Sequence, residues 1–185
     1  MANISFIVKQ KLESAIKILC RDFSSHVKRP GKDFSRNRKL TFEEVIRFLL
    51  PLQGQCMDQE LFRHFSKKSL FFSTDYSGIP HSSAMIQARQ KLSDSAMPAL
   101  FHSYTETCKK GALFQGYQLL AIDGSQFSVP ENLKEPLCWR KIPNISKGRN
   151  VIHLNAMYHL QSGIFEDVVF QPVCECNEHK ALAQM

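Results

Sequence analysis

The sequence lacks any long apolar run, since its longest are short stretches such as LFF and LLAI. A helix that crosses a membrane needs about 20 apolar residues, so we expect no membrane partner. The N-terminus also lacks the pattern of a signal peptide, because its apolar residues are periodic and interrupted by charges. These two absences predict a cytoplasmic protein.

Cysteine is present but does not form a disulfide framework. The six cysteines are scattered along a chain without a secretion signal, which predicts reduced thiols. Cys174 and Cys176, with His179 nearby, are a candidate for part of a zinc site. Because a structural zinc site needs four ligands, usually in more widely spaced pairs, we interpret the two cysteines as free thiols on one strand.

Positive charge is concentrated in one part of the chain. Residues 1–110 carry 18 Lys and Arg against 10 Asp and Glu, whereas residues 111–185 carry 6 against 7. This asymmetry of charge indicates a polyanionic partner for residues 1–110, most often nucleic acid. A solvated basic face is the alternative.

The apolar fraction of the whole chain, 43%, is enough for a packed core.

The first part has the periodicity of helices. Apolar residues recur every three or four positions over residues 3–20, which predicts an amphipathic helix. Thr41 and Glu44 fit a capping box for a second helix that ends before Pro51. Three more helices are predicted, at 57–65, at 84–92 after a Ser82 or Ser83 cap, and from a Ser93 cap to about Cys108.

Two segments of this helical part are candidates for contact with DNA. Residues 24–40 contain Pro30, Gly31 and a basic cluster, and they predict an exposed linker whose Arg36, Arg38 and Lys39 contact phosphates. Helix 84–92 is a candidate recognition helix of a helix-turn-helix, since Gln and Arg can read base edges in the major groove. Its candidate side chains are Gln87, Arg89, Gln90 and Lys91. A solvated loop and the wet side of an ordinary helix are the alternatives.

After Gly111 and Gly116 the pattern changes to strands. Residues 117–123 are almost continuously apolar up to Asp123, which predicts a central strand buried on both faces. Residues 151–160 alternate, with His153, Asn155 and His159 on one face. Residues 164–173 are the return strand of a hairpin, which ends near Pro172, and Asn177 caps a final helix. Trp139 is interpreted as packing over this sheet.

Several motifs occur in an order that is similar to one known family. They are LLAIDGSQFSVP, KGRN followed by VIHLNAMYHL, GIFEDVVFQP and NEHKALA, with SSAMIQARQKL upstream. Over residues 40–185 the chain resembles the DDE transposases of the bacterial insertion-sequence-four type. Without this context, Asp123 would be an ordinary strand-end residue that caps a turn.

The resemblance implies a fold and a chemistry. It implies an α+β chain, with an all-helical DNA-binding region at 1–112 and an incomplete ribonuclease-H-like α/β domain at 113–185. That domain would contain its first three strands and the start of its first helix. The family uses two Asp and one Glu to hold two Mg²⁺ or Mn²⁺ ions for attack on a phosphodiester. Asp123 matches the first Asp, as catalytic residue and metal ligand.

The chain also departs from the family pattern. The second Asp follows the helix that starts near Asn177, on a strand that pairs beside the Asp123 strand, and the Glu lies farther on. Glu166, Asp167, Glu175 and Glu178 do not match these positions. We therefore expect a fragment or a frameshifted frame that is inactive alone, with an unpaired sheet edge.

The implied partner is the double-stranded DNA of the element's terminal inverted repeats, with a homodimer as a further possibility. Lys147 and Arg149 are candidates for phosphate contact near the active site, with a solvated loop as the alternative. Two other functions remain open. One is a non-catalytic DNA-binding remnant that binds element ends or inhibits the full-length enzyme. The other is a metal-dependent nuclease of the same fold class.

Overall fold

Helices occupy the first part of the chain and an antiparallel sheet the second, which confirms the predicted α+β class. The computed structural model describes residues 4–36, 38–66, 78–108, 113–132, 134–141 and 148–185. The chain divides into two compact units, Met1–Tyr104 and Thr105–Met185. The sequence placed the boundary at residue 112. Among the described residues, no helix is both long and apolar enough to cross a membrane.

The helical unit contains α1 Ile4–Arg21, α2 Phe42–Leu49, α3 Met57–Ser66 and α4 Ser82–Arg89, and α5 Ala96–Cys108 spans the division. Ala15, Ile16 and Leu19 in the C-terminal half of the α1 stripe are buried together with apolar side chains of α2, α3 and α4, whereas Ile7 and Val8 of the same stripe are exposed. Phe48 and Ile46 of α2 and Met85 of α4 are among the largest side chains that are fully buried. Burial of such side chains stabilises the fold by about 1.5–3 kcal/mol each.

Two polar clusters hold this unit together. The Thr41 side chain accepts a hydrogen bond from the backbone N–H of Glu44 at 3.2 Å, which confirms Thr41 as the α2 cap. The guanidinium of Arg47 donates two hydrogen bonds to Glu13, at 2.8 and 2.6 Å, and one to Glu43 at 2.8 Å. Since Glu13 lies on α1, this paired geometry joins α1 to α2.

Some predicted helix ends and caps were wrong. Helix α4 begins at Ser82 rather than 84, ends at Arg89, and is capped by His81, whose ring accepts from the backbone N–H of Ser83 at 3.2 Å. Helix α5 begins at Ala96, three residues after the predicted Ser93 cap. Histidine was missed because it is an uncommon cap, whereas serine is a usual one.

The predicted linker at 24–40 is also different in the structure. Val27 is buried and forms an isolated antiparallel bridge with Leu92. Phe34 packs edge-on against Phe42, with ring centres 5.8 Å apart. The segment therefore packs against the helices through apolar contacts, although most of its cations remain exposed. Its basic composition gave no indication of these contacts.

The second unit contains four described strands, which are β1 Leu120–Val129, β2 Trp139–Lys141, β3 Gly148–His159 and β4 Ile164–Pro172. Strand β3 is central, with β1 along one side and both β2 and β4 along the other, all antiparallel. The β3–β4 hairpin and its end at Pro172 agree with the sequence, and Gly163 takes φ +69° in the turn. Helix α6, Glu178–Leu182, follows with Asn177 as its cap.

The expectation for the Asp123 strand was wrong in two respects. Strand β1 starts at Leu120 and continues six residues beyond Asp123, so Asp123 lies inside the strand rather than at its end. Among the described strands it also lies at the edge of the sheet, and its Leu120, Ile122 and Phe127 are exposed. A run of apolar residues shows that a strand is suited to burial, but whether it is covered depends on what packs beside it.

Candidate functional site

Asp123 occupies an accessible position on β1. It pairs across the sheet with Ala156 of β3, and its Oδ1 accepts a hydrogen bond from the backbone N–H of Gly124 at 2.8 Å. In the described ranges, β1 pairs with β3 alone, so its other side is an open edge. The carboxylate therefore faces solvent on a strand that can accept a further neighbour.

The residue after Asp123 has to be small. A Cβ added to Gly124 would lie 2.6 Å from Nε2 and 2.9 Å from Cε1 of His153, and 3.4 Å from Oδ1 of Asn155. These two β3 side chains lean across β1 on the face opposite to Asp123. Glycine is thus required here by a close packing contact within the sheet.

His153 and Asn155 begin a row of buried polar side chains. His153 Nε2 lies 3.2 Å from Asn155 Oδ1, and Asn155 Nδ2 donates to Gln171 Oε1 at 3.1 Å. Gln171 accepts from the backbone N–H of Asn177 at 3.0 Å and donates to its carbonyl at 3.2 Å. The Asn177 side chain accepts from the backbone N–H of Lys180 at 2.9 Å. The row therefore connects the β1 contact to the start of α6.

The sequence did not indicate that this polar face is the buried one. Residues 151–159 alternate as predicted, but His153, Asn155 and His159 are the buried set, and Asn155 is 0% exposed. On the opposite face, Phe165 and Phe170 of β4 are 52% and 67% exposed. Hydrogen bonding offsets the cost of burying the polar groups. Nδ1 of His153 is an exception, with no partner within the described part of the chain.

The acidic residues do not converge on Asp123. No three His, Cys, Asp or Glu side chains of the described residues come together in a way that could hold a metal ion. Asp167 lies on β4 opposite Met157, and its carboxylate accepts from the backbone N–H of Val168 at 2.8 Å, as Asp123 does from its own neighbour. This arrangement offers one exposed carboxylate on β1.

The cysteines are free, as expected. Cys174 lies in a 3₁₀ turn, Val173–Glu175, and Cys176 follows that turn, so the interpretation that both lie on one strand was wrong. Pro172 ends β4 before either cysteine is reached. The ring of Trp139 lies against Gly148 of β3, since a Cβ on Gly148 would be 2.5 Å from its indole carbons.

The candidate DNA-binding residues fall in both units. In the helical unit, exposed positions are occupied by Arg36, Arg38, Lys39, Gln87, Arg89 and Gln90, and Lys91 is half-buried. In the second unit, Arg149 is exposed and pairs across strands with Arg140 of β2. Lys147 lies outside the described residues.

The basic segment, residues 28–39, lies beside the C-terminal end of α4, which the sequence did not show. The backbone N–H of Lys28 donates to the carbonyl of Lys91 at 2.8 Å, and that of Ser93 donates to the carbonyl of His26 at 3.0 Å. One sequence feature could have indicated that this segment is structured, since Asp33 is the only acidic residue within the basic stretch 28–39.

Comparison with known proteins adds no relative. No family model matches the chain, and no curated protein and no solved structure matches it either. The transposase resemblance therefore rests on the motifs quoted above.

Proposed function

We propose that the chain is part of a DDE-type DNA transposase. In this proposal the basic helical unit binds the duplex at the ends of a mobile element. Asp123 is the first carboxylate of a ribonuclease-H-like active site that performs metal-dependent cleavage and strand transfer. The observation that carries the proposal is the position of Asp123, an exposed carboxylate on a strand with an open edge.

The open edge of β1 supports the proposal because such a site needs a neighbour for this strand. The resemblance to the transposase family implies that a strand bearing the second Asp pairs beside the Asp123 strand. Leu120, Ile122 and Phe127 are exposed apolar side chains on β1, and a further strand with its covering layer would bury them. The second Asp and the Glu would have to come from sequence outside residues 1–185.

Residues 1–185 supply only one of the carboxylates that DNA cleavage by such a site requires. Mg²⁺ or Mn²⁺ is held in such enzymes by several oxygen ligands, so a pair of such ions would need more than one carboxylate side chain. We therefore expect these residues alone to cleave no DNA. Held by the complete set of carboxylates, such a metal would supply Lewis-acid activation of the attacking water or 3′-hydroxyl. Asp123 would supply one carboxylate of that set.

The DNA-binding part of the proposal is supported by charge and exposure. The basic excess of the chain lies entirely in residues 1–110, and Arg36, Arg38 and Arg89 are exposed there. Backbone phosphates bind such side chains with an affinity that falls steeply as salt rises. A homodimer would place two such units at two element ends.

The test combines the chain with the sequence that the same DNA encodes after residue 185. The protein is assayed for Mg²⁺- or Mn²⁺-dependent cleavage at the DNA ends that flank its gene. We expect Asp123→Asn to abolish cleavage and leave DNA binding intact. The matched control is Asp167→Asn, a carboxylate with the same local hydrogen bond on the same sheet, which should cleave normally. Cleavage that survives Asp123→Asn would show the proposal to be wrong.

A non-catalytic DNA-binding protein is the second candidate. It is supported by the basic excess of residues 1–110 and by the exposure of Arg36, Arg38 and Arg89, neither of which depends on Asp123. Such a protein would bind element ends and inhibit the complete enzyme. It is distinguished by the same assay, because DNA binding would persist while no combination with downstream sequence produced cleavage.

A further inference from the structure

The basic segment at residues 28–39 contains one acidic residue whose charge is withdrawn from the surface. Asp33 is 3% exposed, and its carboxylate accepts from the backbone N–H of Arg29 at 3.1 Å and from its guanidinium at 2.8 Å. The hydrogen bond with the Arg29 side chain holds the pKa of Asp33 below its usual value. The carboxylate thus closes a turn in which Gly31 takes φ +76°.

The turn is fixed beside the C-terminal end of α4. The Val27–Leu92 bridge and the hydrogen bond from Lys28 N–H to the Lys91 carbonyl join the two segments. Lys91 Nζ lies 5.5 Å from the ring centre of Phe34, a cation–π distance. Two cation-bearing segments about 60 residues apart in sequence therefore lie side by side. We call their cations the basic surface and define it by Lys28, Lys32, Arg36, Arg38, Arg89 and Lys91.

We propose that the basic surface is one preorganised site for the phosphate backbone of duplex DNA, and that Asp33 is its positioning residue. The inference rests on the proposed function, which it deepens by joining two separate candidate segments and by giving an acidic residue a role in binding a polyanion. Cations held in place before binding lose less conformational freedom when they meet the phosphates. Phosphate contacts of this kind fix the position of a protein on the duplex.

The surface fits a hydrated polyanion rather than an acidic membrane. Phe34 is the only aromatic residue in 28–39, and it is packed edge-on against Phe42 and lies under Lys91. A membrane-surface site generally combines cations with exposed apolar anchors, and this segment presents its aromatic ring to the protein instead.

The direction in which one substitution changes the affinity for DNA tests the inference. Asp33→Asn makes the chain more positive, so charge alone would raise its affinity for DNA. Loss of the positioned turn should instead lower the affinity, by about threefold or more. Arg29→Lys keeps the charge but loses the forked hydrogen bonds, and it should weaken binding in the same direction. The measurement is fluorescence anisotropy of residues 1–185 with a random-sequence duplex of about 20 base pairs, the length of two helical turns.

The two sides of the basic surface are tested in the same titrations, repeated over a salt series. Arg36→Gln and Arg89→Gln should each weaken binding and reduce the salt slope by about 1. The matched control is Lys9→Gln, which makes the same charge change at an exposed site in the N-terminal half of α1, outside the basic surface. It should leave the salt slope unchanged. Circular dichroism identifies any variant that has not folded. If Asp33→Asn fails to fold, Arg29→Lys and the two glutamine variants decide the outcome.

Several results would overturn the inference. They are tighter binding by Asp33→Asn, an unchanged slope for Arg89→Gln, or stronger binding to vesicles of phosphatidylcholine and phosphatidylserine than to DNA. Failure of these variants to weaken a parent chain that does bind DNA removes this inference alone. Failure of the parent chain to bind any duplex also removes the DNA-binding part of the proposed function. The cleavage assay at Asp123 is independent of both.

Discussion

Gly124 and His153 lie so close across β1 and β3 that a methyl group on Gly124 would be 2.6 Å from His153 Nε2. His153 is buried, and its Nε2 is already engaged with Asn155, so the ring has little room to move. The glycine after Asp123 and His153 in the VIHLNAMYHL motif are thus parts of one contact. Packing accounts for that glycine independently of any chemistry at Asp123.

Gly124→Ala should destabilise the sheet by about 1–3 kcal/mol, because the added methyl group overpacks the contact with His153. Urea unfolding followed by the fluorescence of Trp139, the only tryptophan, reports on this unit. Ser125→Ala is the control, because Ser125 is the exposed next residue on the same strand and the substitution adds no atoms.

A double-mutant cycle tests the cause. If the clash with the imidazole is responsible, Gly124→Ala should cost much less in a chain that also carries His153→Ala. Strictly additive changes in the free energy of unfolding would contradict this explanation.

Cys20 should react slowly with alkylating reagents. Burial, together with the nearby Glu43 carboxylate, raises the pKa of Cys20 from 9.0 to about 11. At pH 8 that difference lowers the reactive thiolate fraction by about 100-fold. Mass spectrometry after timed iodoacetamide treatment measures the rate, with exposed Cys56 as the internal control. Equal rates at the two cysteines would contradict the burial of Cys20.

The helical unit should lose stability in acid partly through Glu60. Burial by itself raises the pKa of Glu60, but hydrogen bonds from the backbone N–H groups of Gln53 and Gln55, together with Arg63, hold it below the usual 4.5. The folded state therefore gains stability from this carboxylate above pH 4.5 and loses it as the pH falls through the lower folded pKa.

Helical circular dichroism in urea at pH 7 and at successively lower pH measures that loss. Glu60→Gln should show a smaller decrease in unfolding free energy between neutral and acid pH than the parent chain, whatever its stability at pH 7. An identical decrease in both proteins would show that Glu60 does not contribute to the acid sensitivity.

Asn177→Ala should destabilise the second unit by about 1 kcal/mol, because its side chain caps α6 through the backbone N–H of Lys180. Asn177→Asp keeps an accepting oxygen at the same place and should retain most of the stability. The comparison is made by the same tryptophan-detected unfolding. Equal stability of the alanine variant and the parent chain would rule out a contribution from the cap.

Features that depend on near neighbours in sequence were predictable. The Thr41 and Asn177 caps involve groups three residues apart, and the hairpin turn at Gly163 needs only a local positive φ. For the same reason the helical pattern of α1 and the return strand β4 were predicted correctly. Local hydrogen bonding and side-chain periodicity determine these elements.

Features that depend on distant partners were missed. The Val27–Leu92 bridge joins residues 65 positions apart, and the composition of 24–40 indicates only charge and flexibility. Strand β2 was not predicted because it has three residues, too few for any alternation to show. The exposure of β1 could not be read from its apolar run, since the run does not reveal which strands lie beside it.

The most direct measurement is the nucleotide sequence immediately after codon 185, read in all three frames. If Asp123 is the first carboxylate of a transposase active site, one frame encodes a helix continuing from α6, then a strand ending in Asp, and farther on a helix bearing Glu. A downstream sequence with no such strand and helix in any frame would contradict a catalytic role for Asp123, and DNA binding by the helical unit would be the function that remained.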